Sequence, residues 1–180
     1  VLNRVMELRD HVQYSISATS RAMRPGEVDG KSYYFVTRAQ FEQMIEAGQL
    51  LEHAEYVGNY YGTPVQPVRE AMEAGNDVVM DVDVVGALNI KRVMPETVLV
   101  FLTAPSLQEI RRRLEHRGDV SPEALEKRME RARWEYAQAH HYDYLVVNDA
   151  VDHAADELLA IMTAEKCKMM DRIHIMKEEL

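Results

Sequence analysis

Two arginines, a Pro-Gly pair and two adjacent tyrosines fall within residues 15–36, SISATSRAMRPGEVDGKSYYFV. Arg21 and Arg24 carry planar guanidinium forks that match phosphate oxygens in pairs, and Tyr33 and Tyr34 add hydroxyls on stiff rings with little rotamer freedom to lose. The chemistry is that of an anion grip. Within it, Gly26-Glu27-Val28-Asp29-Gly30-Lys31-Ser32 imitates a nucleotide-binding P-loop, a pattern that needs four residues between its glycines, a strand before it and a helix after it. Here three residues separate the glycines and the β-prone Tyr33-Tyr34-Phe35-Val36 follows. Glu27 and Asp29 would also repel phosphates, so the segment is expected to be a turn leading into a hairpin.

Further polar groups sit where a parallel sheet presents its ligands, at the carboxyl ends of strands. Ser17 and the arginines follow one β-like run, Asp81 and Asp83 end a second, and Asn148 ends a third. Asp and Asn at such points also cap helices, a role that needs no ligand. Arg113 and Arg117, four apart, share a helix face, and Arg128 lies beyond the break at 118–122. Glu115, Glu123, Glu126 and Glu130 fit a solvated charged surface for most of that region. His140 and His141 are adjacent and lack a Cys or acid at ligand spacing, so they read as something other than a metal site.

The elements that must hold these groups follow from periodicity and punctuation. Residues 2–8 read as the tail of a helix and 12–17 as a strand. Thr37 caps a helix over 38–47 that Gly48 ends, with Glu42 as supporting acid. Residues 50–61 are β-like and close on a turn-rich 58–64, and a short helix over 67–74 stops at Gly75. The run 77–82 is apolar inside acidic ends, as in a strand covered on both faces. A helix over 86–93, a strand over 98–103, a charged helical region over 106–139, a strand over 144–148 and a helix from 153 complete the series. Met169, Met170 and Met176 read as core filler. Strands separated by helices point to an α/β architecture with a parallel sheet.

Composition narrows the function. With 180 residues the chain suits one domain with inserted subdomains, and a net charge of -9 with pI near 5.3 disfavours a protein that coats nucleic acid or acidic membranes. A local basic pocket for a small anion remains compatible with that charge. No apolar run approaches a membrane span, no signal-peptide pattern opens the chain, and the lone cysteine, Cys167, suits a reducing cytosol.

Four blocks in order make the chain resemble a guanylate kinase: SxSATSRxxRPGEVDGKxYxF at 15–35, LLEHAEYVGNYYGTP at 50–64, DVDVVGA at 81–87 and VVND at 146–149. The resemblance runs to about residue 165 and implies a three-layer α/β fold of the P-loop kinase type, with a GMP-binding α+β insertion and a helical lid. It implies a core of 1–17, 75–110 and 138–165, a GMP-binding subdomain of 18–74, a lid of 111–137 and a C-terminal extension of 166–180. That extension packs on the body or on another subunit, which leaves a homo-oligomer open. The implied activity is cytoplasmic transfer of the terminal phosphoryl group of ATP to GMP with Mg2+, without nucleic-acid or membrane partners.

By the same resemblance, Arg21, Arg24, Tyr33 and Tyr61 hold the GMP phosphate, and Ser17, Glu52, Thr63 and Asp83 read the guanine. Arg113, Arg117 and Arg128 close over the ATP phosphates, Asn148 lies near the adenine, and Asp81 faces Mg2+ or its waters. The chemistry of guanine agrees, because its N1–H and N2 amino donors ask for a carboxylate, which makes Glu52 the candidate for base selection. A closing lid would exclude water from the reaction.

The pattern departs from the family in one large respect. No GxxGxGK[ST] segment occurs in these residues, so none of them offers the backbone N–H cradle, Lys and hydroxyl that would hold the ATP phosphates. Val1 aligns just after that segment, and the polypeptide is expected to continue upstream. Two other readings stay open: a kinase-like protein-binding module resembling those of membrane scaffold proteins, and a GMP sensor without turnover. Val85 stands where the family usually has Gln, Met23 where Pro is common and Ala150 where Asp is common.

Overall fold

The structure, a computed structural model, describes residues 1–56, 58–116, 121–169 and 172–173. In chain order the elements are α1 (Leu2–Leu8), β1 (Val12–Tyr14), β2 (Ala18–Thr19), β3 (Tyr34–Phe35), α2 (Arg38–Glu46), β4 (Leu50–Tyr56), β5 (Asn59–Pro64) and α3 (Val65–Glu73). They continue with β6 (Asp77–Val79), α4 (Val84–Val93), β7 (Val100–Thr103), α5 (Leu107–His116), α6 (Pro122–Gln138), β8 (Tyr144–Val147) and α7 (Val151–Glu165). They form two compact units, residues 11–99 and residues 1–10 with 100–180.

In the unit 11–99, β1 and β6 pair in parallel, and a second sheet runs in the order β3-β2-β5-β4. Leu51, Val68 and Ile90 are buried together, with Val65, Val78, Met80, Val82 and Met94 packed against them, so strand and helix faces share one apolar centre. Thr37 and Gln40 form a capping box that starts α2: the Gln40 backbone N–H donates to Thr37 Oγ1 at 3.2 Å and the Thr37 N–H donates to Gln40 Oε1 at 2.8 Å. Gln40, and not Glu42, is therefore the reciprocal cap. Asp83 starts α4 by accepting from the Gly86 N–H at 2.8 Å.

In the other unit, β7 and β8 pair in parallel from Val100↔Tyr144 to Thr103↔Val147. Val5 of α1 and Ala154 and Ala155 of α7 are fully buried where these helices meet, and Arg4 Nε donates to Asp152 Oδ1 at 2.7 Å across the same pair. The small alanines let the helices approach closely. Arg111 bridges α5 to Glu126 of α6 at 2.8 Å, and Phe101 meets Tyr136 and Tyr142 edge-on.

The α/β reading holds, with parallel pairing at β1–β6, β2–β3 and β7–β8. Several local expectations are corrected. The segment after Arg24 does not turn into a hairpin: β3 runs parallel to β2, because the intervening loop folds on its own polar groups and re-enters in the same direction. Residues 59–64, expected to be turn-rich, form a strand antiparallel to β4. The helices expected from 67, 86 and 153 begin at Val65, Val84 and Val151; β1, β6 and β8 end before their expected runs, and β7 begins later than its own. Residues 77–79 are half-buried, not covered on both faces, and Met169 is exposed instead of filling the core. The Arg117 site and most of the expected hinge at 118–122, with Met170 and Met176, lie outside the described residues.

Candidate active site

The expected anion grip is built on a buried two-residue strand. Ala18 and Thr19 of β2 are fully buried, and the Thr19 hydroxyl donates to the Tyr60 carbonyl at 2.9 Å while accepting from the Arg21 N–H at 3.2 Å. From there the chain turns at Pro25-Gly26, where Gly26 takes φ 86° and the Glu27 N–H donates to the Arg24 carbonyl at 3.1 Å. Proline at the second position and a positive-φ glycine at the third are what this turn requires. Asp29 Oδ1 accepts from the Phe35 N–H at 2.9 Å, and Ser32 Oγ accepts from the Val28 N–H at 3.1 Å. The loop's acids thus accept backbone N–H groups that fold it, Glu27 from Arg24 and Asp29 from Phe35, which reduces the expected conflict with a phosphate.

Arg21, Tyr33 and Tyr61 converge above this loop. The Arg21 guanidinium lies 5.5 Å from the Tyr33 ring centre, and the Tyr33 and Tyr61 rings meet edge-on at 6.1 Å. Arg24 is exposed on the neighbouring turn, and Tyr34 pairs with Ala18 in the strand register. Ser17 precedes β2, its carbonyl accepting from the Tyr34 N–H at 2.9 Å.

A second group forms along β4, β5 and the start of α4. Glu52 and Thr63 are register partners, and Thr63 Oγ1 donates to Glu52 Oε1 at 2.7 Å. Gly86 lies between two carboxylates: a methyl group there would sit 3.3 Å from Glu52 Oε2 and 3.4 Å from Asp83 Oδ1. Burial pushes the Glu52 carboxyl above its ordinary value, the Thr63 bond opposes this, and the Asp83 charge adds to the rise. Tyr61 and Thr63 are two apart on β5 and so face the same side, about 7 Å apart along the strand. Asp81 is exposed just past β6, and its charge, after burial, helps raise the Tyr14 hydroxyl on the paired strand.

The other unit carries Arg113, Arg128 and Asn148. Arg113 Nε donates to Glu109 Oε1 at 2.8 Å and its Nη2 donates to the Asn148 carbonyl at 2.9 Å, which joins α5 to the end of β8. Glu109 also holds Arg112 at 2.7 Å, and Arg112 and then Arg113 draw its carboxyl down to about 2. Arg128 is exposed on α6. A cavity of about 270 Å³ opens beside Arg113, lined among others by Phe101, Thr103, Ala104 and Tyr136.

Sequence reasoning missed Glu27 and Glu109, the two acids that hold these arginines. For Glu109 the signal was present, since one acid three residues before Arg112 and four before Arg113 falls on their helix face. Glu27 had no such periodicity to reveal it.

The guanylate kinase family model matches residues 3–165. The chain is 52% identical over 158 residues to a guanylate kinase of Thermus thermophilus, covering 88% of this chain and 72% of that protein. It is 49% identical to a guanylate kinase of Halalkalibacterium halodurans, over 95% of this chain and 87% of the relative. Among solved structures, the guanylate kinase from Anaplasma phagocytophilum superposes with a TM-score of 0.73 at 33% identity, over 93% of this chain and 81% of that one. On sequence and fold together, the chain belongs to the guanylate kinase family.

Proposed function

We propose that this chain catalyses ATP + GMP to ADP + GDP by direct phosphoryl transfer, as a step of purine nucleotide metabolism. One observation carries the reading: the Thr63–Glu52 pair lies on the same side of β5 as Tyr61, whose ring meets Tyr33 beside Arg21. A carboxylate suited to guanine's N1–H and N2 donors stands a strand step from a guanidinium and two phenols suited to its phosphate. Asp83 and Ser17 complete the guanine contacts in this reading, and Arg24 and Tyr33 those of the phosphate. Arg113, Arg128 and Arg117 then act on the donor phosphates, with Asn148 beside the adenine.

In such a site the side chains orient the acceptor oxygen and neutralise charge, and no covalent intermediate forms. The exposed Asp81 carboxylate is a hard oxygen donor of the kind Mg2+ takes, and it would hold the waters of an ion borne by the phosphates. When bound, Mg2+ supplies further neutralisation of phosphate charge. Asp81 would orient those waters without itself bonding the transferred group. A cytoplasmic location belongs to the same reading; its support is the single cysteine, and no described helix is long and apolar enough to cross a membrane.

The test is a GMP titration followed by an ADP-formation assay with ATP, Mg2+ and GMP on the full-length gene product. Saturable GMP binding with GMP-dependent ADP release is expected. Tight GMP binding without turnover replaces the reading with a GMP sensor, and neither binding nor turnover replaces it with a protein-binding module.

A further inference from the structure

Arg21 is held from one edge. Its Nη1 donates to the Ala22 carbonyl at 2.7 Å and to Glu27 Oε2 at 3.0 Å, and its Nη2 donates to Glu27 Oε1 at 2.7 Å. Glu27 Oε2 also accepts from the Arg24 backbone N–H at 2.7 Å. One carboxylate therefore ties the Arg21 head to the turn from which Arg24 projects. Both members of the pair are largely covered, with side-chain exposures of 12% and 21%, and the guanidinium lies within 5.7 Å of the centres of both the Tyr33 and Phe35 rings.

These bonds leave the Nε–H and the second Nη2–H, which together form the other two-pronged edge of a guanidinium. We propose that Glu27 is a positioning residue of the acceptor site: by occupying the Nη1–Nη2 edge of Arg21 it turns the remaining edge toward the acceptor phosphate beside Tyr33 and Tyr61. The inference rests on the GMP reading above and deepens it. Glu27 touches neither the substrate nor the transferred group. Its carboxylate opposes a phosphate dianion at long range, but that repulsion is partly cancelled by Arg21 and screened by water and salt. An unheld arginine, in contrast, must give up its rotamer freedom each time the phosphate binds. Order therefore outweighs charge at this position.

The experiment compares GMP with guanosine, which has the base but no phosphate, on the full-length protein. With Glu27→Ala, GMP affinity falls about tenfold and guanosine affinity stays within about twofold, the size expected for loss of one charge-assisted hydrogen-bonding arrangement. Glu27→Gln keeps the side-chain volume and one acceptor, so it falls between the wild type and Glu27→Ala, and it carries the test should the alanine variant not fold. In the turnover assay KM for GMP rises while KM for ATP does not change. Equal loss for GMP and guanosine marks Glu27 as merely structural and overturns the proposal. Unchanged or tighter GMP binding overturns it too. Wild-type protein that binds GMP no better than guanosine overturns the acceptor-site reading itself, before any variant is made, and the proposal with it.

Discussion

Thr63 Oγ1 donates to Glu52 Oε1 at 2.7 Å across the β4–β5 register, and this bond orients a half-buried carboxylate on a strand. Glu52→Gln keeps an acceptor for Thr63 but replaces one guanine-facing acceptor with an amide donor. GMP affinity should fall about 100-fold while ATP affinity is unchanged, the effect of losing charge-assisted bonds in a covered site. Thr63→Val should cost about tenfold by freeing the carboxylate to rotate. Calorimetric titration of GMP and ATP checks both; equal losses for the two nucleotides would contradict the role given to Glu52.

The same carboxyl sets a pH dependence. Its folded-state value lies above the ordinary 4.5, chiefly through burial, so across the window between those two values the folded protein holds more protons than the unfolded one. Stability therefore falls as pH rises through that window, and the ionised Glu52 costs stability at neutral pH. Glu52→Gln should raise Tm in the absence of GMP while it weakens binding. Guanosine binding, which requires the ionised form, should weaken as pH drops through the raised value. Guanosine is the right probe, since the GMP phosphate itself titrates near pH 6. Thermal melts and guanosine titrations over acid pH check this, and a melting temperature lowered by Glu52→Gln would refute it.

Gly62 has no room for a side chain. A methyl group there would lie 2.7 Å from the Glu52 carbonyl oxygen, 3.0 Å from His53 Cβ and 3.1 Å from Phe41 Cζ, and Phe41 is fully buried. Two of these obstacles are backbone or next to it and cannot swing away. Gly62→Ala should destabilise the unit by about 1–3 kcal/mol, seen as a Tm lower by roughly 2–10 °C. Because the clash pushes on Glu52, GMP affinity should fall at temperatures where the variant is still folded.

Much of this was legible in the chain, and the exceptions have physical causes. Element types followed from periodicity and from punctuation by Thr37, Gly48 and Gly75, whereas strand ends did not, because apolar residues such as Met80 and Val82 pack on the core beyond the last ladder bond. The parallel return of β3 was hidden because it depends on Glu27 and Asp29 bonding across the loop, a non-local arrangement that turn preferences do not encode. The residue types of the candidate site were readable. The way Glu27 holds Arg21 was not, since an ion pair in a loop leaves no period in the sequence.

Arg113 links Glu109 on its own helix to the Asn148 carbonyl at the end of β8, at 2.8 and 2.9 Å. A lysine has one ammonium head where arginine has a fork, and it cannot satisfy both acceptors in that geometry. Under the proposed role of Arg113 on the donor phosphates, Arg113→Lys should therefore lower kcat by about 100-fold or more, while KM for GMP changes little. Glu109 is held down to about 2, first by Arg112 and then by Arg113, below an ordinary value of 4.5. The stabilising contribution of this clasp is complete above the ordinary value and is lost as pH falls from there toward 2. The loss in kcat on Arg113→Lys should accordingly be constant from about pH 6 to 8, well above the range in which Glu109 takes up its proton. Steady-state kinetics across that range checks it, and a defect that disappears at one end of the range would mean that Arg113 acts through a different partner.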